Sequence, residues 1–124
     1  MKQNLVGWFE IPVRDMERAS TFYETVFDIS ISIHDFGDTL MGWFPFDPQK
    51  SGATGSLIKN KSYTPSHDGT LVYFTCEDLQ NELNRVEKAG GQVLKGKTQI
   101  SPEHGFMAVV EDTEGNRIAL HSNK

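Results

Sequence analysis

The chain has 124 residues, 37% of them hydrophobic and 23% charged, and its 12 Lys and Arg are outnumbered by 17 Asp and Glu. This length and composition are typical of one globular domain, and they exclude a disordered chain or a separate cofactor domain. The net charge of -5 argues against a nucleic-acid partner, and no apolar run reaches the roughly 20 residues of a membrane-spanning helix, so neither nucleic acid nor membrane is expected.

Cysteine usage and the first residues indicate the compartment. The single cysteine, Cys76, cannot form an intrachain disulfide and lies in an apolar strand pattern. The opening "MKQNLVGWFEIPV" lacks the long apolar segment of a signal peptide. We therefore expect a cytoplasmic protein in which Cys76 is a core thiol.

The first half of the chain predicts a strand, a helix and three more strands. Residues 5–13 mix aromatic and β-branched side chains with polar ones near period two, which favours a strand. Asp15 offers a side-chain oxygen as a helix N-cap. Residues 16–27 place apolar side chains at three- and four-residue spacings, the pattern of one buried helical stripe. Strand-like stretches follow at residues 29–36, 39–46 and 55–60.

The second half repeats this order. Residues 69–77 read as a strand, Asp78 is the matching N-cap, and Gly90-Gly91 is expected to stop the helix. The helical stripe consists of Leu79, Leu83 and Val86. Strand-like stretches follow at residues 92–100, 106–112 and 116–122, with a turn signal at Glu114-Gly115-Asn116.

Each half therefore reads βαβββ, an α+β arrangement of two modules, residues 5–60 and 69–122, joined by a short polar linker. A module of about 55 residues is marginal alone. We therefore expect the modules to share a core, so that residues 1–124 form a single domain.

Two motifs carry a resemblance to a known family. "PVRDMERASTFYETVF" after the first strand and "EDTEGNRIALHS" at the end resemble the vicinal oxygen chelate superfamily, which includes glyoxalase I, bleomycin-resistance proteins, extradiol dioxygenases, methylmalonyl-CoA epimerase and fosfomycin-resistance enzymes. The resemblance implies tandem βαβββ modules that form a curled mixed sheet around a cavity. It also implies a homodimer.

In metalloenzymes of that superfamily, the first, fourth, fifth and eighth strands present ligands for a divalent metal. Matching the motifs places Trp8, Leu71 and Ala119 at three of these positions, and none of them can coordinate a cation. The register of the fourth strand stays open, but residues 56–58 include no strong donor. We therefore predict neither a metal at the usual site nor another cofactor.

Two ionisable groups lie near these positions by strand alternation. Glu10 shares a face with Trp8, and His121 shares one with Ala119. They could act as a general acid–base pair or, with a further donor such as His67, Asp68 or His104, hold a relocated metal. His104 itself is interpreted either as the polar tip of a lid over the cavity or as part of a plain turn.

The aromatic residues favour an apolar cavity. Trp8 and Leu71 replace polar ligands, Trp43 and Tyr73 fall in predicted strands, and Tyr73 adds one hydroxyl. Such a cavity suits a flat or cationic organic molecule.

Three functions follow as hypotheses. The first is a metal-independent protein that binds a small molecule, similar to the bleomycin-resistance branch. The second is a lyase, isomerase or dioxygenase that uses a relocated metal or Glu10 and His121. The third is an interaction domain whose dimer surface matters more than its cavity.

Overall fold

The structure is a computed structural model and describes residues 3–124. The first half contains β1 (Trp8–Pro12), α1 (Met16–Phe27), β2 (Ser32–Asp35), β3 (Leu40–Trp43) and β4 (Thr54–Lys59). The second half contains β5 (Tyr73–Thr75), α2 (Leu79–Val86), β6 (Gln92–Ser101), β7 (Gly105–Glu111) and β8 (Arg117–Ser122). The predicted tandem βαβββ order is confirmed.

The strands form two four-stranded mixed sheets. The first has the order β1-β4-β3-β2 and the second the order β5-β8-β7-β6. In each sheet the first strand of the module runs parallel to the last, and the other pairs are antiparallel. The equivalent order shows that the internal repeat seen in the sequence is a repeat of topology.

Both helices begin at the predicted caps. The Asp15 carboxylate accepts a hydrogen bond from the Arg18 backbone N–H at 3.0 Å. Asp78 accepts one from the Gln80 backbone N–H at 3.0 Å. α2 ends at Val86, earlier than the glycine pair predicted, because the chain passes through a turn before Gly90 takes a left-handed φ of 102°.

β5 is shorter than the predicted strand of residues 69–77. It pairs with β8, and the chain just before it continues this contact, since the Val72 carbonyl accepts a hydrogen bond from the Ala119 N–H at 2.9 Å. The Arg117 side chain donates to the Gly69 carbonyl at 3.1 Å, and its backbone N–H donates to Ser66 at 3.3 Å. The linker is thus attached to the second module. Among the described residues, no helix is both long enough and apolar enough to cross a membrane.

One hydrophobic cluster joins the two modules. Alternate strand residues and the inner stripes of both helices contribute to it. Its buried members include Ile11, Phe22, Tyr23, Val26, Leu57, Leu79, Val86, Val110 and Leu120.

Within residues 3–124 the other face of each sheet carries no helix, and we call it the open face. Strand alternation and register place on it Trp8, Glu10, Met41, Trp43 and Ser56 from the first sheet, and Tyr73, Thr75, Ala119 and His121 from the second.

Candidate functional site

A cleft of about 850 Å³ opens where β1 of the first module meets β5 of the second. We call it the aromatic cleft. Its aromatic lining residues are Trp8, Phe9, Phe27, Phe44, Tyr73 and Phe74. The β3–β4 loop and the segment before β5 complete its walls. This volume lies in the range of pockets that bury a small organic ligand.

The rings of the aromatic cleft contact one another closely. Phe27 and Phe74 stack with their centroids 4.7 Å apart, and Phe9 meets Phe74 edge to face at 5.8 Å. Trp8 and Tyr73 stand at the opening and are 44% and 50% exposed. The floor is thus a packed aromatic layer, whereas the two residues at the opening keep much of their surface free for a ligand.

One end of the aromatic cleft is acidic. Cys76, Glu77 and Glu82 line it, and no Lys, Arg or His from the described part of the chain joins them. Burial and then the negative charge of Glu82 raise the pKa of the Cys76 thiol to about 12. Cys76 is therefore a neutral thiol at physiological pH, in keeping with its predicted place in the core.

Glu82 projects from α2 and its side chain is only 16% exposed. Its Oε2 atom lies 3.6 Å from the Arg85 guanidinium. Its Oε1 atom is buried and accepts no hydrogen bond from any described residue. The sequence did not single out Glu82, because it lies beside the Leu79 and Leu83 stripe and only the packing of α2 against the other module brings it to the cleft.

The structure divides the predicted site residues between two places. Trp8, Leu71 and Tyr73 line the aromatic cleft. Trp43 lies next to it on the open face, where its ring meets Trp8 edge to face at 6.1 Å and stacks on His34 at 3.8 Å.

The remaining predicted residues lie outside the cleft lining. Ala119 is fully buried on the open face between Tyr73 of β5 and Val109 of β7. Glu10 is exposed and pairs in register with Ser56 of β4. The Ser56 hydroxyl is buried, and no described residue hydrogen-bonds to it.

His121 and His104 meet through the backbone. The His121 Nε2–H donates to the carbonyl of His104 at 2.7 Å, and the His104 ring is in an exposed turn between β6 and β7. Within residues 3–124 no hydrogen bond or ion pair joins Glu10 to His121. Their role as an acid–base pair stays a prediction.

The side chains at the usual metal positions do not fit a divalent cation. The resemblance places Trp8, Leu71 and Ala119 at three of these positions, and Ser56, on the open face of β4, offers only a neutral hydroxyl. An indole N–H only donates, and leucine and alanine offer no donor atom to a metal. No group of three or more His, Cys, Asp or Glu residues that could hold a metal occurs in the described part of the chain.

The predicted turn before β8 has a structural role that the sequence did not reveal. Glu114 is fully buried at its side chain and accepts hydrogen bonds from the backbone N–H groups of Arg14 and Asp15, both at 2.8 Å. The Arg18 guanidinium donates to both of its oxygens, at 2.7 and 2.9 Å. The turn therefore fastens the second module to the start of α1.

Comparison with known proteins places this architecture in a family. A family model described as the Glyoxalase/Bleomycin resistance protein/Dioxygenase superfamily matches residues 5–120. A glyoxylase-like domain-containing protein from Didymella fabae is 26% identical over 121 residues, which cover 93% of this chain and 91% of that protein.

Solved structures share the fold. A glyoxylase/bleomycin resistance protein/dioxygenase domain from Frankia sp. EAN1pec superposes with a TM-score of 0.75 at 15% identity, over 99% of this chain and all of that one. TnmS3, an antibiotic-binding protein from Streptomyces sp. CB03234, gives 0.68 at 21% identity, over 100% of this chain and 99% of that one.

Glyoxalase I from Zea mays gives a TM-score of 0.72 at 18% identity, over 94% of this chain but only 45% of the maize protein. This chain thus spans about half the length of that enzyme. From the match over residues 5–120 and the tandem βαβββ topology, we conclude that the chain belongs to the glyoxalase, bleomycin resistance protein and dioxygenase superfamily.

Proposed function

We propose that this protein binds a small organic molecule in the aromatic cleft. The observation that carries the proposal is the cleft itself: about 850 Å³ between the modules, floored by packed phenylalanines and opened by the half-exposed Trp8 and Tyr73. A flat apolar molecule would cover the exposed ring surfaces and gain the free energy of removing them from water. The antibiotic-binding TnmS3 shows that this fold also serves proteins that bind small molecules.

Enzymatic turnover has less support from the geometry. Glu10 lies outside the cleft lining, and His121 uses its Nε2–H on the carbonyl of His104. A lyase, isomerase or dioxygenase reaction through these residues would need a ligand on the open face rather than in the aromatic cleft.

We also infer that the chain works as a homodimer. A folded monomer of this mass exposes about 6,700 Å², whereas this chain exposes 7809 Å². The exposed large apolar side chains outside the aromatic cleft include Leu5, Ile33, Phe36, Leu94 and Ile100. Light scattering on the purified protein tests this inference: a dimer mass is expected, and a monomer mass at micromolar concentration would contradict it.

Thermal-shift measurements test the binding proposal. A panel of planar aromatic compounds is expected to contain ligands that raise the melting temperature, because a ligand that binds only the folded state stabilises it. Trp8→Ala should abolish the shift. The control Tyr63→Ala changes another exposed aromatic residue, one that does not line the cleft, and should preserve the shift.

Nickel, cobalt, zinc, manganese and iron(II) belong in the same experiment. A specific stabilising shift with one of these metals, together with no shift from any organic compound, would overturn the proposal in favour of a relocated metal site.

A further inference from the structure

The acidic end of the aromatic cleft contains an incompletely paired carboxylate. Glu82 is 84% buried at its side chain (the complement of its 16% exposure), and its Oε1 atom accepts no hydrogen bond from the described residues. A buried carboxylate oxygen without a donor is unusual, because it has lost water and gained nothing in return. A donor supplied by a ligand would remove this deficit.

Two hydrogen-bond donors, Arg85 and Cys76, lie near Glu82, and neither is a strong partner of its Oε1 atom. The Arg85 guanidinium donates its Nε–H to the carbonyl of Val26 at 2.8 Å and reaches only Oε2 of Glu82, at 3.6 Å. The Cys76 thiol lies 3.7 Å from the carbonyl of Phe74 and also beside the Glu82 carboxylate, to which a thiol is only a weak hydrogen-bond donor. Neither group therefore satisfies Oε1 as a strong donor would.

We propose that the aromatic cleft takes an organic cation, a molecule with a flat apolar body and a protonated amine that donates to the free oxygen of Glu82. The proposal rests on the function proposed above and names the chemical class of its ligand. Rotation about the last bond of a glutamate side chain is soft, so the carboxylate turns easily to present Oε1 to the cleft.

The rest of the cleft is complementary to such a molecule. Glu77 adds a second negative charge at the same end, and no basic residue among those described lines the cleft. The half-exposed rings of Trp8 and Tyr73 lie in the same lining, and free aromatic surface of this kind attracts a cation. Lys124 lies 3.7 Å from Glu77 and Arg85 lies 3.6 Å from Oε2 of Glu82, so the preference for a cation depends on Oε1 of Glu82.

A matched pair of probes tests the proposal by isothermal titration calorimetry at neutral pH. Naphthylmethylamine carries the flat body and the cation, and naphthylmethanol carries the same body with a neutral hydroxyl. A charge-assisted hydrogen bond makes the amine the tighter ligand of the wild-type protein by roughly tenfold or more. Equal affinity of the wild-type protein for the two probes would overturn the proposal before any variant is measured.

Two substitutions locate the preference. Glu82→Gln keeps the shape of the side chain and removes its charge, and it should bring the two affinities to near equality. The control Glu77→Gln removes the other, exposed carboxylate of the cleft and should retain most of the preference for the amine. An undiminished preference in Glu82→Gln, confirmed as folded by circular dichroism, would overturn the assignment to Glu82.

The experiment separates the two proposals. If both probes bind equally and Trp8→Ala weakens both, the cleft binds apolar molecules and the proposed preference for a cation is refuted. If neither probe binds at millimolar concentration, both proposals are contradicted.

Discussion

Two buried glutamates, Glu114 and Glu82, show how a carboxylate that stabilises the fold differs from one that is available to a ligand. Glu114, in the turn before β8, accepts five hydrogen bonds, from the backbone of Arg14 and Asp15, twice from Arg18, and from the Thr113 hydroxyl. Glu82, on α2, has one distant ion pair and a buried oxygen with no donor among the described residues.

The difference concerns what each carboxylate does for the fold. Glu114 satisfies backbone N–H groups at the start of α1 and joins two modules, so its removal would leave several buried donors unpaired. Glu82 has no strong hydrogen-bond donor among the described residues, and its ion pair with Arg85 is long. Burial alone is therefore a poor guide to role, whereas the count of partners separates the two residues.

The largest expected effect comes from Glu114→Gln. The substitution places an N–H₂ group against donors and removes the charge that Arg18 contacts, and we expect the free energy of unfolding to fall by about 3 kcal/mol. Urea denaturation measures it. Glu103→Gln, in the exposed turn between β6 and β7, is the control and should change stability by less than about 0.5 kcal/mol. Equal stability of the two variants would refute the structural role of Glu114.

The same residue predicts how stability depends on pH. Burial alone would raise the pKa of Glu114, but the hydrogen bonds from Arg18, Asp15, Arg14 and Thr113 outweigh it and lower the pKa from 4.5 to about 2. A carboxyl whose pKa is lower in the folded state adds stability above its unfolded pKa and loses it as the pH falls towards the folded value. Unfolding curves should therefore show a loss of stability between pH 4.5 and 2 that is smaller in Glu114→Gln.

Tyr23→Phe should have a smaller effect. The fully buried Tyr23 hydroxyl donates to Asp112 at 2.6 Å, and Asp112 keeps other donors, the backbone N–H groups of Glu114 and Asn116 at 2.8 and 2.9 Å. We expect a loss of about 1–2 kcal/mol. Tyr63→Phe, at an exposed position, should be neutral by comparison, and an equal loss in both variants would contradict this account of Tyr23.

The smallest effect is expected for Glu82→Gln without ligand. Because Oε1 has no strong donor among the described residues and the contact with Arg85 is long, removal of the buried charge should leave the free energy of unfolding unchanged or raise it by up to about 1 kcal/mol. A loss above about 2 kcal/mol, the scale of a lost charged hydrogen bond, would show that Glu82 is a structural carboxylate like Glu114.

Much of the fold was predictable because it depends on local signals. Asp15 and Asp78 are predicted as N-caps, and both helices begin where the sequence predicts. An N-cap and an apolar stripe each depend on only a few neighbouring residues, so they can be recognised from the sequence. The end of α2 was less well predicted. The glycine pair sits in the turn that follows the helix, whereas the last helical residue is Val86, which is buried in the core.

The site was less predictable because it depends on how two modules meet. Trp8, Leu71 and Tyr73 were identified from strand positions, and all three line the cleft. Glu82 could not be identified in this way, since a residue beside a helical stripe is exposed in most packings. The burial of Glu114 could not be predicted for the same reason. The sequence predicts the turn that contains Glu114, but it does not show that this turn contacts the start of α1.

A crystal structure of the protein with bound naphthylmethylamine tests the central claim most directly. We predict that the ring lies in the aromatic cleft against Trp8 and Phe74, with the amine within hydrogen-bond distance of Glu82. A ligand bound instead on the open face, between Glu10 and His121, would contradict the account and favour the enzymatic hypothesis.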